Sequence, residues 1–208
     1  MQPLAVVDYG MGNLRSVQKA LERVGQAAEV TRDPERIARA PGVVLPGVGA
    51  FGACMANLQR FGLVAPVTHA IRAGRPFLGI CLGMQLLFEE SEEFGPVAGL
   101  GILPGRVVRF SAAPEHKIPH MGWNRLHVAR RVTALGDLPE GAYTYFVHSY
   151  YPVPSDPAVV VTTTTYGVEF ASSVARDNIF ACQFHPEKSQ QVGLGLLDSF
   201  VRQAAGRA

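Results

Sequence analysis

The segment Phe77-Leu-Gly-Ile-Cys-Leu-Gly-Met-Gln85 constrains this chain more than any other stretch. An apolar run ends in Gly79, a nucleophile-capable residue stands at Cys81, and Gly83 leads into a helix-like stretch. That is the layout of a strand-to-helix elbow. Its glycines leave room for a strained turn that lifts the central side chain above the sheet edge. The alternative is that Cys81 is only a packed core residue, a common fate of free cysteine; the two glycines weigh against it.

The pattern around the elbow is that of a parallel sheet. Leu4 to Val7 reads as an apolar strand, and Asn13 can cap a helix with an inner stripe of Leu14, Val17, Leu21 and Val24. A strand near Ala27 to Val30, a polar helix from about Pro34 and a strand at Val43 to Leu45 follow. Helical stretches at Cys54 to Leu58 and Val64 to Ala73 then lead to a buried strand at Phe77 to Ile80. Short apolar strands separated by helices predict a parallel sheet covered on both faces, with ligands at its carboxyl edge.

From about Gly105 the pattern turns hairpin-like. Arg106 to Phe110, Tyr143 to His148, Val159 to Thr165, Phe170 to Val174 and Ile179 to Phe184 read as strands. Pro152-Val-Pro154, Ser155-Asp-Pro157 and Arg176-Asp-Asn178 read as joints, and a last helix from about Ser189 buries Leu194, Leu197, Phe200 and Val201. With 208 residues and no repeat or long linker, one α/β domain with a smaller antiparallel extension is expected over 1–208.

Bulk properties exclude several classes. A net charge of +2 without a basic cluster gives no case for nucleic acid. No apolar run approaches the ~20 residues that cross a bilayer, so no membrane is expected. Three cysteines without paired spacing read as reduced thiols, which suggests the cytoplasm. Gly10-Met-Gly12 lacks a full dinucleotide fingerprint, so no nucleotide cofactor is expected. His116 and His120 stand four apart, but Pro119 between them argues against a regular helix and a zinc site.

Thiol attack on a carboxamide needs a thiolate, a proton shuttle and dipoles for the oxyanion. Cys81 supplies the sulfur. His185, in Gln183-Phe-His-Pro-Glu-Lys188, is the candidate base and later the acid for departing ammonia. In an extended His-Pro-Glu segment Glu187 lies on the same side as His185 and can hold its distal nitrogen. His148, also at a strand end, is the rival base. Leu45-Pro-Gly-Val-Gly-Ala-Phe-Gly52 can present oxyanion donors from Val48 and Gly49 beside the Leu82 N–H, or can simply form a tight turn. Gln85, about one turn into the elbow helix, could reach a bound amino acid.

These segments resemble the class I glutamine amidotransferases over essentially the whole chain. Within that class they resemble the glutaminase subunits of imidazole glycerol phosphate synthase. Besides the elbow, the strip and the His-Pro-Glu segment, the likeness rests on Val7-Asp-Tyr-Gly-Met-Gly-Asn-Leu14, Pro119-His-Met-Gly-Trp-Asn124 and Tyr145-Phe-Val-His-Ser-Tyr150. The resemblance implies a flavodoxin-like fold and a Cys81-His185-Glu187 triad that hydrolyses L-glutamine through a thioester. It also implies glutamine contacts from Gly49, Gln85, His148, Ser149 and Tyr150. Ammonia would pass to a (β/α)₈ cyclase that consumes it with a phosphoribulosyl-formimino carboxamide ribonucleotide. Asn13, Trp123, Tyr145 and Lys188 match interface positions in the family, and the peptide matching Val48 is one the family flips. The rival readings are an amidotransferase for another acceptor, a stand-alone amidase or peptidase of related fold, and a catalytically inactive scaffold.

Overall fold

The computed structural model describes residues 2–111 and 116–206. In the first half, strands β1 (Leu4–Val7), β2 (Ala28–Thr31), β3 (Val43–Gly47) and β4 (Phe77–Cys81) alternate with helices α1 (Leu14–Arg23), α2 (Pro34–Arg39), α3 (Phe51–Arg60) and α4 (Val64–Arg72). The four-residue α5 (Leu82–Gln85) follows β4 without a break. Next come β5 (Phe88–Ser91), β6 (Val97–Ala98), β7 (Leu103–Arg109), β8 (His120–Arg125) and β9 (His127–Val128). The chain closes with β10 (Tyr143–His148), β11 (Tyr150–Pro154), β12 (Val160–Tyr166), β13 (Val168–Arg176), β14 (Ile179–Cys182) and α6 (Gln190–Ala204).

The central sheet has the order β2-β1-β3-β4-β14-β13-β12-β9. From β2 to β14 every pairing is parallel; from β14 to β9 every pairing is antiparallel. The parallel strands are apolar on both faces, as β1, β3 and β4 show by being buried at every position. One face packs on α3 and α4 through Leu58, Val67 and Phe77; the other packs on α1 and α6 through Leu21, Leu197 and Phe200. Smaller sheets, β11-β7-β5-β6 and β10-β8, supply the expected antiparallel extension.

Several local expectations need correction. The elbow helix is a single turn, so Gln85 is its last residue. Asn13 stands at the N-cap position of α1, but its side chain makes no capping hydrogen bond. On α6 Leu197, Phe200 and Val201 are buried as expected, but Leu196 is buried in place of the expected Leu194, which is only partly covered. Pro152 and Pro154 lie within β11 rather than in a joint. β11 is an edge strand of its sheet, where a missing backbone N–H costs no ladder bond.

Candidate active site

The parallel register brings three strand ends to one place. Gly47 of β3 lies opposite Cys81 of β4, and Cys182 of β14 lies opposite Ile80, so Gln183 emerges beside Cys81. Cys81 has φ 55 and ψ −112, a region that non-glycine residues avoid. The cause is the absence of any linker between β4 and α5. The glycines contribute space rather than dihedral freedom. A Cβ on Gly79 would meet the Gly83 carbonyl at 2.9 Å, and one on Gly83 would collide with the Leu45 carbonyl. α5 therefore sits directly on the β3 backbone, with Cys81 at its N-terminal end.

His185 follows β14 and is clamped by its backbone. Its N–H donates to the Tyr145 carbonyl at 2.9 Å, and its carbonyl accepts from the Ser189 hydroxyl at 2.7 Å. The Tyr145 N–H in turn donates to Ser189 Oγ at 3.0 Å. His185 itself is extended, but Pro186–Lys188 forms a 3₁₀ turn, so Glu187 meets it by a turn and not by strand alternation. Proline favours that first helical position. Glu187 Oε1 lies 2.8 Å from His185 Nδ1, and both side chains are almost fully buried. With Nδ1–H donating to the carboxylate, Nε2 is the free nitrogen, and it has no hydrogen-bond partner among the described residues. Burial alone would oppose protonation of His185. The Cys81 sulfur and the Glu187 carboxylate outweigh it and push the imidazole up to about 10.

His148 cannot fill the same role. Its Nδ1 donates to the Tyr150 carbonyl at 2.9 Å, and its Nε2 faces His120 Nδ1 at 3.0 Å. Both nitrogens are taken. Burial pushes its pKa down to about 3, only partly opposed by the bond to Tyr150. The other thiols are set apart as well: burial raises Cys54 to about 11 and raises Cys182 far above the ordinary thiol range.

A cavity of about 280 Å³ opens over Cys81 and His185, walled by Val48, Gly49, Leu82, Gln85, Glu93, Pro119, Val147, His148, Ser149 and Tyr150. A larger hollow of about 560 Å³ between residues 133–139 and α6 holds no cysteine or histidine. On the Gly47-Val48-Gly49 strip Val48 is exposed and Gly49 has φ +93. The Val48 carbonyl accepts a hydrogen bond from Cys54 Sγ at 3.6 Å, and the buried Tyr9 hydroxyl donates to the Pro46 carbonyl at 2.7 Å.

The cavity thus gathers Cys81, His185, Leu82, Val48, Gly49, Gln85, His148, Ser149 and Tyr150. Glu187 stands behind His185, outside the wall. Trp123, Tyr145 and Lys188 meet on another surface: the Trp123 and Tyr145 rings are 6.2 Å apart and Lys188 Nζ lies 5.7 Å over Tyr145. Asn13 is not part of that cluster of contacts; it sits at the start of α1. His116 packs edge-on against Tyr166, and no group of residues suited to a metal ion occurs among the described residues.

Three residues escaped the sequence reading. Glu93 lines the cavity and accepts from the Phe51 N–H at 2.6 Å, with no motif around it in the sequence to mark it. Gln183 donates to Cys81 Sγ at 3.6 Å, and Ser189 holds His185; both border the His-Pro-Glu segment, which was the available signal.

A model of the family "glutamine amidotransferase class-I" matches residues 5–204, and the chain belongs to that family of cysteine-dependent glutaminases. Two relatives carry the assignment further. The "imidazole glycerol phosphate synthase subunit HisH" of Geobacter sulfurreducens is 55% identical, covering 96% of this chain and 98% of its own length. The protein of the same description from Moorella thermoacetica is 56% identical, covering 96% and 94%. Within the class, the chain groups with these glutaminase subunits. Among solved structures, PurLQS of Thermotoga maritima superposes with a TM-score of 0.76 at 21% identity, covering 98% of this chain and 99% of that one. A structure described as glutamine amidotransferase gives 0.74 at 21%, covering 97% and 98%. At that identity the likeness speaks to the fold.

Proposed function

We propose that this glutaminase subunit hydrolyses L-glutamine at Cys81 and hands the ammonia to a cyclase subunit that builds imidazole glycerol phosphate. The observation that carries the reading is a strained cysteine at a cavity floor beside a buried histidine whose second nitrogen is held by a carboxylate. Cys81 Sγ attacks the carboxamide carbon, and the Leu82 N–H with an N–H of the Val48-Gly49 strip receives the oxyanion. His185 Nε2 gives its proton to the leaving nitrogen, and ammonia departs to leave a thioester. His185 then takes a proton from water, hydroxide attacks the thioester carbon, and glutamate leaves as the sulfur recovers its charge.

Gly49, Gln85, His148, Ser149, Tyr150 and Glu93 line the cavity; on this reading the first five surround the amino-acid end of glutamine. The surface around Trp123, Tyr145 and Lys188 suits the cyclase, since exposed Met121 and Tyr143 extend the same hairpin. Gating by that partner prevents wasteful release of ammonia. Among the described residues no helix is long and apolar enough to cross a membrane. The test is glutamine turnover by the chain alone, with its cyclase, and with cyclase plus the ribonucleotide. Turnover should rise at each step; a chain fully active alone on peptides would overturn the proposal.

A further inference from the structure

The Tyr150 carbonyl oxygen dictates the orientation of a whole row of buried side chains. A carbonyl can only accept, and two side chains reach it: Gln85 Nε2 at 2.9 Å and His148 Nδ1 at 2.9 Å. Gln85 therefore presents its NH₂ there, and its second hydrogen goes to Gln183 Oε1 at 2.9 Å. That leaves the Gln183 NH₂ only one way to face, toward Cys81 Sγ at 3.6 Å. On the other side, His148 carries its proton on Nδ1, so its Nε2 accepts and His120 Nδ1 must donate at 3.0 Å. His120 Nε2 then accepts from Asn124 Nδ2 at 3.2 Å.

The far end of the row demands the same assignment independently. Asn124 Nδ2 also donates to the Thr165 carbonyl at 3.0 Å, while Asn124 Oδ1 accepts from the Arg125 N–H at 2.8 Å. Two backbone carbonyls thus fix every amide and both tautomers consistently. Gln85, Gln183, His120 and His148 are all buried, and Gln183 is fully so. Packing alone does not require an amide at 183, since an apolar side chain would satisfy the same space more simply.

We propose that Gln183 is a further catalytic residue: its amide N–H donates to the Cys81 sulfur and steadies it as thiolate, both before attack and when glutamate leaves. Gln85, His148, His120 and Asn124 are positioning residues that hold the amide in that sense. No proton moves along the row. This inference rests on Cys81 being the nucleophile.

The test is iodoacetamide labelling of Cys81 at fixed pH, with and without glutamine, alongside kcat and KM for glutamine in the cyclase complex. Gln183→Met removes the donor at nearly constant volume. Labelling and kcat should fall about ten- to a hundredfold, as for a hydrogen bond to a charged group, with KM little changed. Gln183→Glu should fall further, because a carboxylate would face the sulfur; it also carries the test if Gln183→Met does not fold. His120→Leu should lower kcat, and His120→Asn, which keeps a donor near the Nδ1 position, should recover most of it. A folded Gln183 variant that labels and turns over like the wild type overturns the inference while leaving the nucleophile in place. Wild-type Cys81 that neither labels nor is protected by glutamine overturns the nucleophile reading itself.

Discussion

Gly47 lies directly opposite Cys81 in the parallel register of β3 and β4, and a Cβ on it would meet the Tyr9 hydroxyl at 2.7 Å and Leu82 Cβ at 2.8 Å. The proposed oxyanion strip and the proposed nucleophile therefore sit at the ends of adjacent strands, built as one unit. Gly47→Ala should push the strip away from Leu82. The expected result is a loss of about a hundredfold in glutaminase kcat, near the value of one oxyanion donor, with about 1–3 kcal/mol of lost stability. Steady-state kinetics and a denaturant melt measure the two.

The triad members should fail to different degrees. His185→Ala should abolish most thioester formation, because Nε2 is the free nitrogen at the cavity. Glu187→Gln should be milder, since the backbone clamp through Tyr145 and Ser189 still holds the ring. Burst and steady-state hydrolysis separate them. A lethal His148→Ala beside a mild His185→Ala would reverse the assignment of the base.

Acid should weaken the fold through His148. Its folded pKa, about 3, lies below the ordinary 6.5, so the unfolded chain binds a proton that the folded chain refuses. Stability is then lost as pH falls from about 6.5 toward 3, with His120, lowered to about 4 by burial, acting in the same direction. Urea melts across that range should show a slope smaller by about one proton in His148→Gln than in the wild type.

The Val48 peptide should reorient on activation. Its carbonyl is held by Cys54 Sγ, a weak bond that a partner-driven shift can exchange. A crystal structure of Cys81→Ala with glutamine, alone and in the loaded complex, should differ at residues 47–49. Identical strips with the Val48 N–H already on the amide oxygen would place the switch elsewhere.

The parallel half and the elbow were legible because apolar runs, glycine spacing and helix stripes are local signals. Cys81, His185 and Glu187 could be named from two short segments. What stayed hidden depends on distant partners. β8 contains Gly122 and lacks a run of β-branched residues, and it exists because it pairs with β10. β5 carries two glutamates among its four residues and exists through its pairing with β6 and β7. Gln183 gains its contact with sulfur only through the β4–β14 register and a carbonyl 33 positions earlier in the chain, and no spacing rule encodes that.

The proposed division of labour around Cys81 is measured most directly by synthesis of imidazole glycerol phosphate by Cys81→Ala in complex with the cyclase, supplied with either glutamine or ammonium. The glutamine-dependent reaction should vanish while the ammonium-dependent reaction persists near the wild-type rate. Retained glutamine-dependent synthesis would contradict the assignment of Cys81 as nucleophile, and loss of both reactions in an intact complex would contradict the separation of glutaminase from cyclase.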